Sequence, residues 1–159
     1  MIVRSMSAED IAGVATIHAD AFPRQTLSRE WVDSNLRSFP KVMAFVAGAG
    51  AGDCVTGYIF WAQRSGFRPE VVLELEQIAV HSDLRRRGIA QVLIRDSLSL
   101  VRAQLSRQGA TLKHIIVSTR ADNSAQALYR TALGAEVEAT IRNLYSADEV
   151  VMVSRNPPA

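Results

Sequence analysis

Apolar positions along the chain follow two periods, one of two residues and one near 3.6, and the two alternate from segment to segment. The first run, 2–4, is short and β-branched and predicts a strand. Ser7-Ala8-Glu9-Asp10 then has the form of a capping box, with Asp in place of the longer Glu. The helix it opens carries Ile11, Val14, Ala15 and Ile17 on one face. It ends near Phe22-Pro23, because proline cannot continue a helix. Ser28 reads as the cap of a second, short helix through Arg29-Glu30-Trp31-Val32, which stops near Phe39-Pro40.

Residues 42–47 and 55–62 are strand-like. Between them, Gly48-Ala49-Gly50-Ala51-Gly52-Asp53 looks at first like a phosphate loop. Asp53 stands where a dinucleotide fingerprint needs glycine, and β-prone Val55, Tyr58, Ile59, Phe60 and Trp61 follow where it needs a helix. The segment reads as a flexible hairpin loop. A longer strand covers 71–80, and a polar, arginine-rich turn leads to a helix over 88–107 with a stripe of Ile89, Val92, Leu93, Leu100 and Val101. Gly109 breaks it. Residues 114–119 predict a strand and 124–133 a helix, with Gly134 as its C′ residue. Strands at 137–141 and 150–153 flank a polar turn, and the tail Asn156-Pro157-Pro158-Ala159 reads as frayed.

A length of 159 residues suits one domain, so 1–159 is read as a single unit. The excess of 18 basic over 16 acidic side chains is small, and gives no bulk argument for nucleic acid or an anionic membrane. Any basic site must be local. Cys54 is the single cysteine, which rules out an internal disulfide and a cysteine metal cluster and fits a cytoplasmic location. Residues 1–5 lack the features of a signal peptide, and no apolar run approaches the ~18 residues of a membrane span. His18, His81 and His114 match no metal-ligand spacing, so no metal is expected. Trp31 and Trp61 read as core or pocket wall.

The chemistry concentrates in Ile78-Ala79-Val80-His81-Ser82-Asp83-Leu84-Arg85-Arg86-Arg87-Gly88-Ile89-Ala90, a strand, a basic turn and the start of a helix. The free N–H groups of a helix's first turn point outward, and the helix dipole favours an anion there. Gly88 removes a Cβ from that spot, Ala90 stays small, and Arg85, Arg86 and Arg87 add charged donors. The combination suits a pyrophosphate. Three arginines alone would mean only a solvated turn; the glycine and the small residue at fixed offsets after a strand favour the anion site. No Gly-Lys-Ser/Thr follows, which disfavours a nucleotide triphosphatase.

The segment Arg85 to Ala90 resembles the Gln/Arg-x-x-Gly-x-Gly/Ala motif of the GNAT acetyltransferase superfamily, and a second motif follows in Asn123, Ala125, Ala127, Leu128, Tyr129 and Leu133-Gly134-Ala135. It is similar to the family's Asn-x-x-Ala-x-x-Leu-Tyr-x-x-x-Gly-Phe, with the alanine displaced by one position and Ala135 in place of Phe. The likeness is strongest over 71–135. Ala21-Phe22-Pro23 and Ala139-Thr140-Ile141-Arg142-Asn143-Leu144-Tyr145 further resemble the ribosomal-protein alanine N-acetyltransferases. Those enzymes carry a glutamate base at the position of Ser118, and serine cannot serve as a base near neutral pH unaided, so the departure weakens the transfer of their substrate. Ser82 stands where many relatives have proline.

The resemblance implies an α/β (α+β) GNAT fold: a mixed, mostly antiparallel sheet of about seven strands flanked by about four helices and splayed at the coenzyme A site. It implies acetyl-CoA as cosubstrate, its pyrophosphate at Arg85, Arg86, Arg87, Gly88, Ile89 and Ala90 and its pantetheine arm along Ile78, Ala79, Val80 and Asn123. Asn123 can also cap its helix. Tyr129 takes the place of the general acid on the CoA sulfur. Histone acetyltransferases of the superfamily carry a glutamate base at the position of Glu74, and serotonin N-acetyltransferases carry histidines at the positions of both Glu74 and Glu76. These two share a face of their strand, so partial burial and mutual repulsion would raise one pKa; they could instead bind a cationic acceptor. The reaction implied is acetyl transfer to a primary amine by direct attack in a ternary complex. The acceptor is a protein N-terminus, a lysine or a small amine, with no nucleic acid or membrane partner and with the chain a monomer or homodimer. The alternatives are a non-catalytic CoA-binding regulatory module and a nucleic-acid binder, the latter disfavoured by the absence of aromatics among the arginines.

Overall fold

The computed structural model describes residues 1–50 and 54–159, so the glycine-rich loop reading lies partly outside the described residues, at 51–53. Among the described residues, seven strands and four α-helices form in the order β1 (Ile2–Ser5), α1 (Ile11–Ala21), α2 (Ser28–Arg37), β2 (Val42–Gly48), β3 (Val55–Gln63), β4 (Glu70–Val80), α3 (Ile89–Arg107), β5 (Thr111–Arg120), α4 (Ala125–Leu133), β6 (Glu136–Ile141) and β7 (Glu149–Ser154). The strands make one mixed sheet, ordered β1-β2-β3-β4-β5-β7-β6. By contacts the chain divides into two compact units: Met1–Trp61 with Gln77–Val101, and Ala62–Glu76 with Arg102–Ala159.

In the first unit, β1 pairs antiparallel with β2, from Ile2 opposite Gly48 to Ser5 opposite Phe45. Every residue of β2 is buried, which is why its apolar run shows no alternation. The capping box forms as the sequence predicts: the Ser7 N–H donates to Asp10 Oδ2 at 2.8 Å. It opens a short 3₁₀ turn, Ala8–Asp10, that leads into α1. Arg4 grips the same carboxylate with two bonds of 2.8 Å.

Ser28 does not cap α2. Leu27, at φ 53°, holds the N-cap position, and the Ser28 hydroxyl is instead 2.8 Å from His18 Nδ1. Pattern reading favours Ser at a cap, but a buried imidazole needs a partner more than an exposed helix end does. The α3 stripe is also corrected: Leu100 is exposed, while Ile94 and Leu98 join Ile89, Leu93 and Val101 in the core. Gly57 on β3 permits close packing, since a Cβ there would lie 3.0 Å from the Ala79 carbonyl oxygen and 3.0 Å from Leu93 Cδ1.

In the second unit, the start of β4 runs parallel to β5, with Glu70 opposite Thr111 and Glu74 opposite Ile116. That register ends at Glu74, whereas β5 continues through Val117, Ser118, Thr119 and Arg120 opposite β7. Ile115, Leu133 and Met152 are fully buried and form its core. β6 is an edge strand exposed along its whole length. The proline tail is pinned, not frayed: Arg102 donates to the carbonyl oxygens of Pro157 at 3.3 Å and Pro158 at 2.7 Å. Among the described residues, no helix is long and apolar enough to cross a membrane.

Candidate active site

β4 leaves the sheet through a tightly held bend. The His81 N–H donates to the Thr56 carbonyl at 2.9 Å, and His81 Nδ1 accepts from the Asp83 N–H at 3.2 Å. A 3₁₀ turn, Ser82–Leu84, follows. Arg86 and Gly88 then take left-handed conformations, at φ 61° and 77°. Glycine reaches this region without penalty; arginine there is strained. The Gly88 carbonyl accepts the Val92 N–H at 3.1 Å, so α3 starts immediately after it and the N–H groups of its first turn lack intrahelical acceptors. A Cβ built on Gly88 would meet nothing within 4 Å. The backbone is therefore open to an incoming group at the positive end of a 19-residue helix.

The three arginines divide. Arg85 is used internally, its Nε donating to the Val80 carbonyl at 3.2 Å and its Nη2 to Asp20 at 3.4 Å. Arg86 and Arg87 are exposed and have no partner among the described residues. Ile89 is buried and Ala90 half-buried, so Ile89 anchors the helix while its main chain stays at the opening. Just upstream, Ala79 and Val80 are buried and Ile78 half-buried.

Gln77, not singled out by sequence, is a buried hub in the first unit. Its Oε1 accepts from the Tyr58 hydroxyl at 2.8 Å and from Trp31 Nε1 at 3.0 Å. Its Nε2 donates to Gln25 Oε1 at 3.3 Å, and the same oxygen lies 2.8 Å from His18 Nε2. His18 is fully buried, so it serves packing and this network. The available signal was an amide standing at an inward position of an apolar strand. Trp61 is core, its Nε1 donating to Ser97 Oγ at 2.8 Å.

In the second unit, Glu74 and Glu76 lie on one face of β4, both half-buried. Arg64 Nε is 3.1 Å from Glu74 Oε2. Burial pushes the Glu74 pKa up, Glu76 adds to the rise, and Arg64 opposes it. Sequence reading anticipated the rise but missed Arg64, which follows β3 with no motif around it.

Tyr129 of α4 is buried, and its hydroxyl has no hydrogen-bond partner among the described residues. Burial pushes its pKa up to about 12. Asn123 Oδ1 accepts the Ala125 N–H at 2.8 Å, so the expected capping role is met. Gly134, at φ 65°, closes α4, its N–H bonding the Arg130 carbonyl at 3.0 Å. Ser118 is exposed on β5, opposite Val151 of β7. The described residues hold no group of three or more His, Cys, Asp or Glu side chains able to bind a metal. Cys54 is a free, exposed thiol.

The first unit offers an open anion site at a helix start; the second offers a carboxylate with a raised pKa and a phenol whose hydroxyl has no partner among the described residues. Residues 11–135 match a family model described as the acetyltransferase (GNAT) family. No curated protein sequence matches the chain. Among solved structures, an aminoglycoside 6′-N-acetyltransferase complexed with coenzyme A is 14% identical, with 100% of this chain and 99% of that one covered and a TM-score of 0.75. The ribosomal-protein-S18-alanine N-acetyltransferase from Escherichia coli is 18% identical over 99% and 95% of the two chains, with a TM-score of 0.75. A ribosomal-protein-alanine N-acetyltransferase from Brucella melitensis is 22% identical over 96% and 98%, with a TM-score of 0.71. These likenesses show the fold.

Proposed function

The chain belongs to the acetyltransferase (GNAT) family and is an acetyl-CoA-dependent N-acetyltransferase, and on that premise we propose that it acetylates a primary amine by direct attack, with Glu74 as base and Tyr129 as acid. The observation that carries the cosubstrate assignment is the bend after β4. Gly88 presents backbone with open space before it, and Arg86 and Arg87 beside it have no partner among the described residues. A pyrophosphate needs main-chain donors and mobile cations of this kind. Ile78, Ala79 and Val80 supply main-chain groups for the pantetheine arm, and Asn123 Nδ2 stays available because only Oδ1 is engaged in capping.

Acetyl-CoA supplies the thioester whose acetyl group is transferred. Glu74, its pKa raised toward the range of a working base, takes a proton from the acceptor ammonium, directly or through water. Glu76 strengthens that basicity by repulsion and helps to hold the cationic amine. Tyr129 remains protonated at any ordinary pH, and its hydroxyl donates to the sulfur as negative charge builds there. No acyl-enzyme is needed, since Cys54 has no activating neighbour in sequence.

Enzymes of this fold are named for acceptors as different as an alanine of a ribosomal protein and an aminoglycoside. The acceptor must therefore be found by experiment. Release of coenzyme A should be measured across protein N-termini, lysine peptides and small amines. Tight binding of acetyl-CoA with no release on any amine would leave only a binding module.

A further inference from the structure

A groove of about 610 Å³ opens in the second unit, lined by residues of the turn after β3 and of β4 and β5. Its floor is Val72 and Ile116. Val72 precedes Glu74 by two residues on the same face of β4, and Ile116 is the β5 residue opposite Glu74. Its walls carry three cations, Arg64, Arg68 and Lys113, against one acid, Glu70. Arg64 spends its Nε on Glu74. Arg68 uses its Nε on the Ser65 carbonyl at 2.8 Å and has no carboxylate partner among the described residues. Lys113 lies 4.0 Å from Glu70, a loose contact between exposed side chains. The groove thus joins apolar residues to positive charge, of which Arg68 has no carboxylate partner among the described residues, and Arg64 links its lining to Glu74.

We propose that this groove is the acceptor subsite and selects amines that carry a carboxylate about 7–10 Å from the reacting nitrogen, a separation of two to three residues along a strand. This rests on the acetyltransferase reading. The ammonium sits at Glu74 and Glu76, the intervening chain crosses Val72 and Ile116, and the carboxylate pairs with Arg68 and Lys113. The charge order of the acceptor, positive then negative, is the reverse of the charge order of the groove. Peptides with acidic second and third residues and short amino acids both have this chemistry.

The test uses matched acceptors that differ only in charge: Ser-Glu-Glu-Leu against Ser-Gln-Gln-Leu, and ε-aminocaproate against its amide. At low salt the full chain should show kcat/KM about tenfold or more higher for the carboxylate member of at least one pair, and the ratio should shrink as salt rises. The peptide pair and the small pair tell which source the groove takes. Arg68→Glu with Lys113→Glu should invert the ratio, while Arg68→Lys should retain most of it. A ratio near one in both pairs, with robust turnover, overturns the groove assignment, as does a ratio that survives the double charge reversal. No coenzyme A release on these four acceptors or on any wider amine panel overturns the acetyltransferase reading and this inference with it.

Discussion

Arg64 Nε sits 3.1 Å from Glu74 Oε2, while Glu76 lies two residues away on the same face of β4. A cation and an anion thus act on one half-buried carboxyl in opposite directions, and burial tips the balance upward. As the proposed base, Glu74 works only when deprotonated. Activity should therefore rise with pH through its pKa, with that limb at higher pH than an unperturbed Glu would give. Arg64→Gln removes the opposing influence, so the limb should move to higher pH. Glu74→Gln should abolish the limb and lower kcat about a hundredfold or more. A pH–rate profile unchanged in both variants would remove Glu74 from the mechanism.

Gly88 tests the cosubstrate site. A Cβ at this position meets no protein atom within 4 Å, so a side chain creates no internal clash. Its φ of 77° still strains any L residue, by about 1–2 kcal/mol. Gly88→Val should fold with a modestly lower Tm yet bind coenzyme A at least about tenfold more weakly, a loss of about 1.4 kcal/mol. Titration calorimetry on the folded variant measures this. Wild-type affinity would show that the ligand does not approach the backbone here.

The elements at the heart of the fold were legible because their signals are local. Gly134 ends α4 and Pro23 limits α1 through backbone chemistry that needs no tertiary context. Arg85 to Ala90 could be read as an anion site because helix geometry alone exposes its donors. The division of labour among the arginines could not, since Arg85 turns inward to an aspartate 65 residues away in sequence. Ser28 was misread for the same reason: its partner, His18, comes from another helix. Arg64 and Gln77 carry no motif, and their importance comes from what the fold sets beside them.

Gln77 makes a quantitative prediction about stability. Its Oε1 satisfies two donors at once, the Tyr58 hydroxyl and Trp31 Nε1. Gln77→Leu strands both, at about 1–3 kcal/mol for each buried unsatisfied group. Tyr58→Phe removes a donor together with its need for a partner and should cost only about 1 kcal/mol. The double variant should therefore be less destabilised than the two single losses added together. Denaturant unfolding of the four proteins measures the coupling, and strict additivity would mean that the Tyr58–Gln77 bond carries no energy of its own.

Tyr129, the proposed acid, holds a proton that it does not lose. With its pKa pushed up to about 12, its phenol stays protonated at ordinary pH and imposes no alkaline fall in rate below that pH. It is also a weaker acid than a thiol, whose pKa is about 8.5, so full transfer to a finished thiolate is uphill. As the proposed acid, Tyr129 would contribute a hydrogen bond that strengthens while the C–S bond breaks. Tyr129→Phe keeps the ring that fills the buried site and removes only the donor. Folding and coenzyme A affinity should persist while kcat falls about tenfold to a hundredfold, the scale of one well-placed donor to developing charge. The deficit should narrow with a thioester whose thiol is more acidic, since that leaving group needs less help. An equal deficit for both thioesters would place the action of Tyr129 elsewhere than on the sulfur.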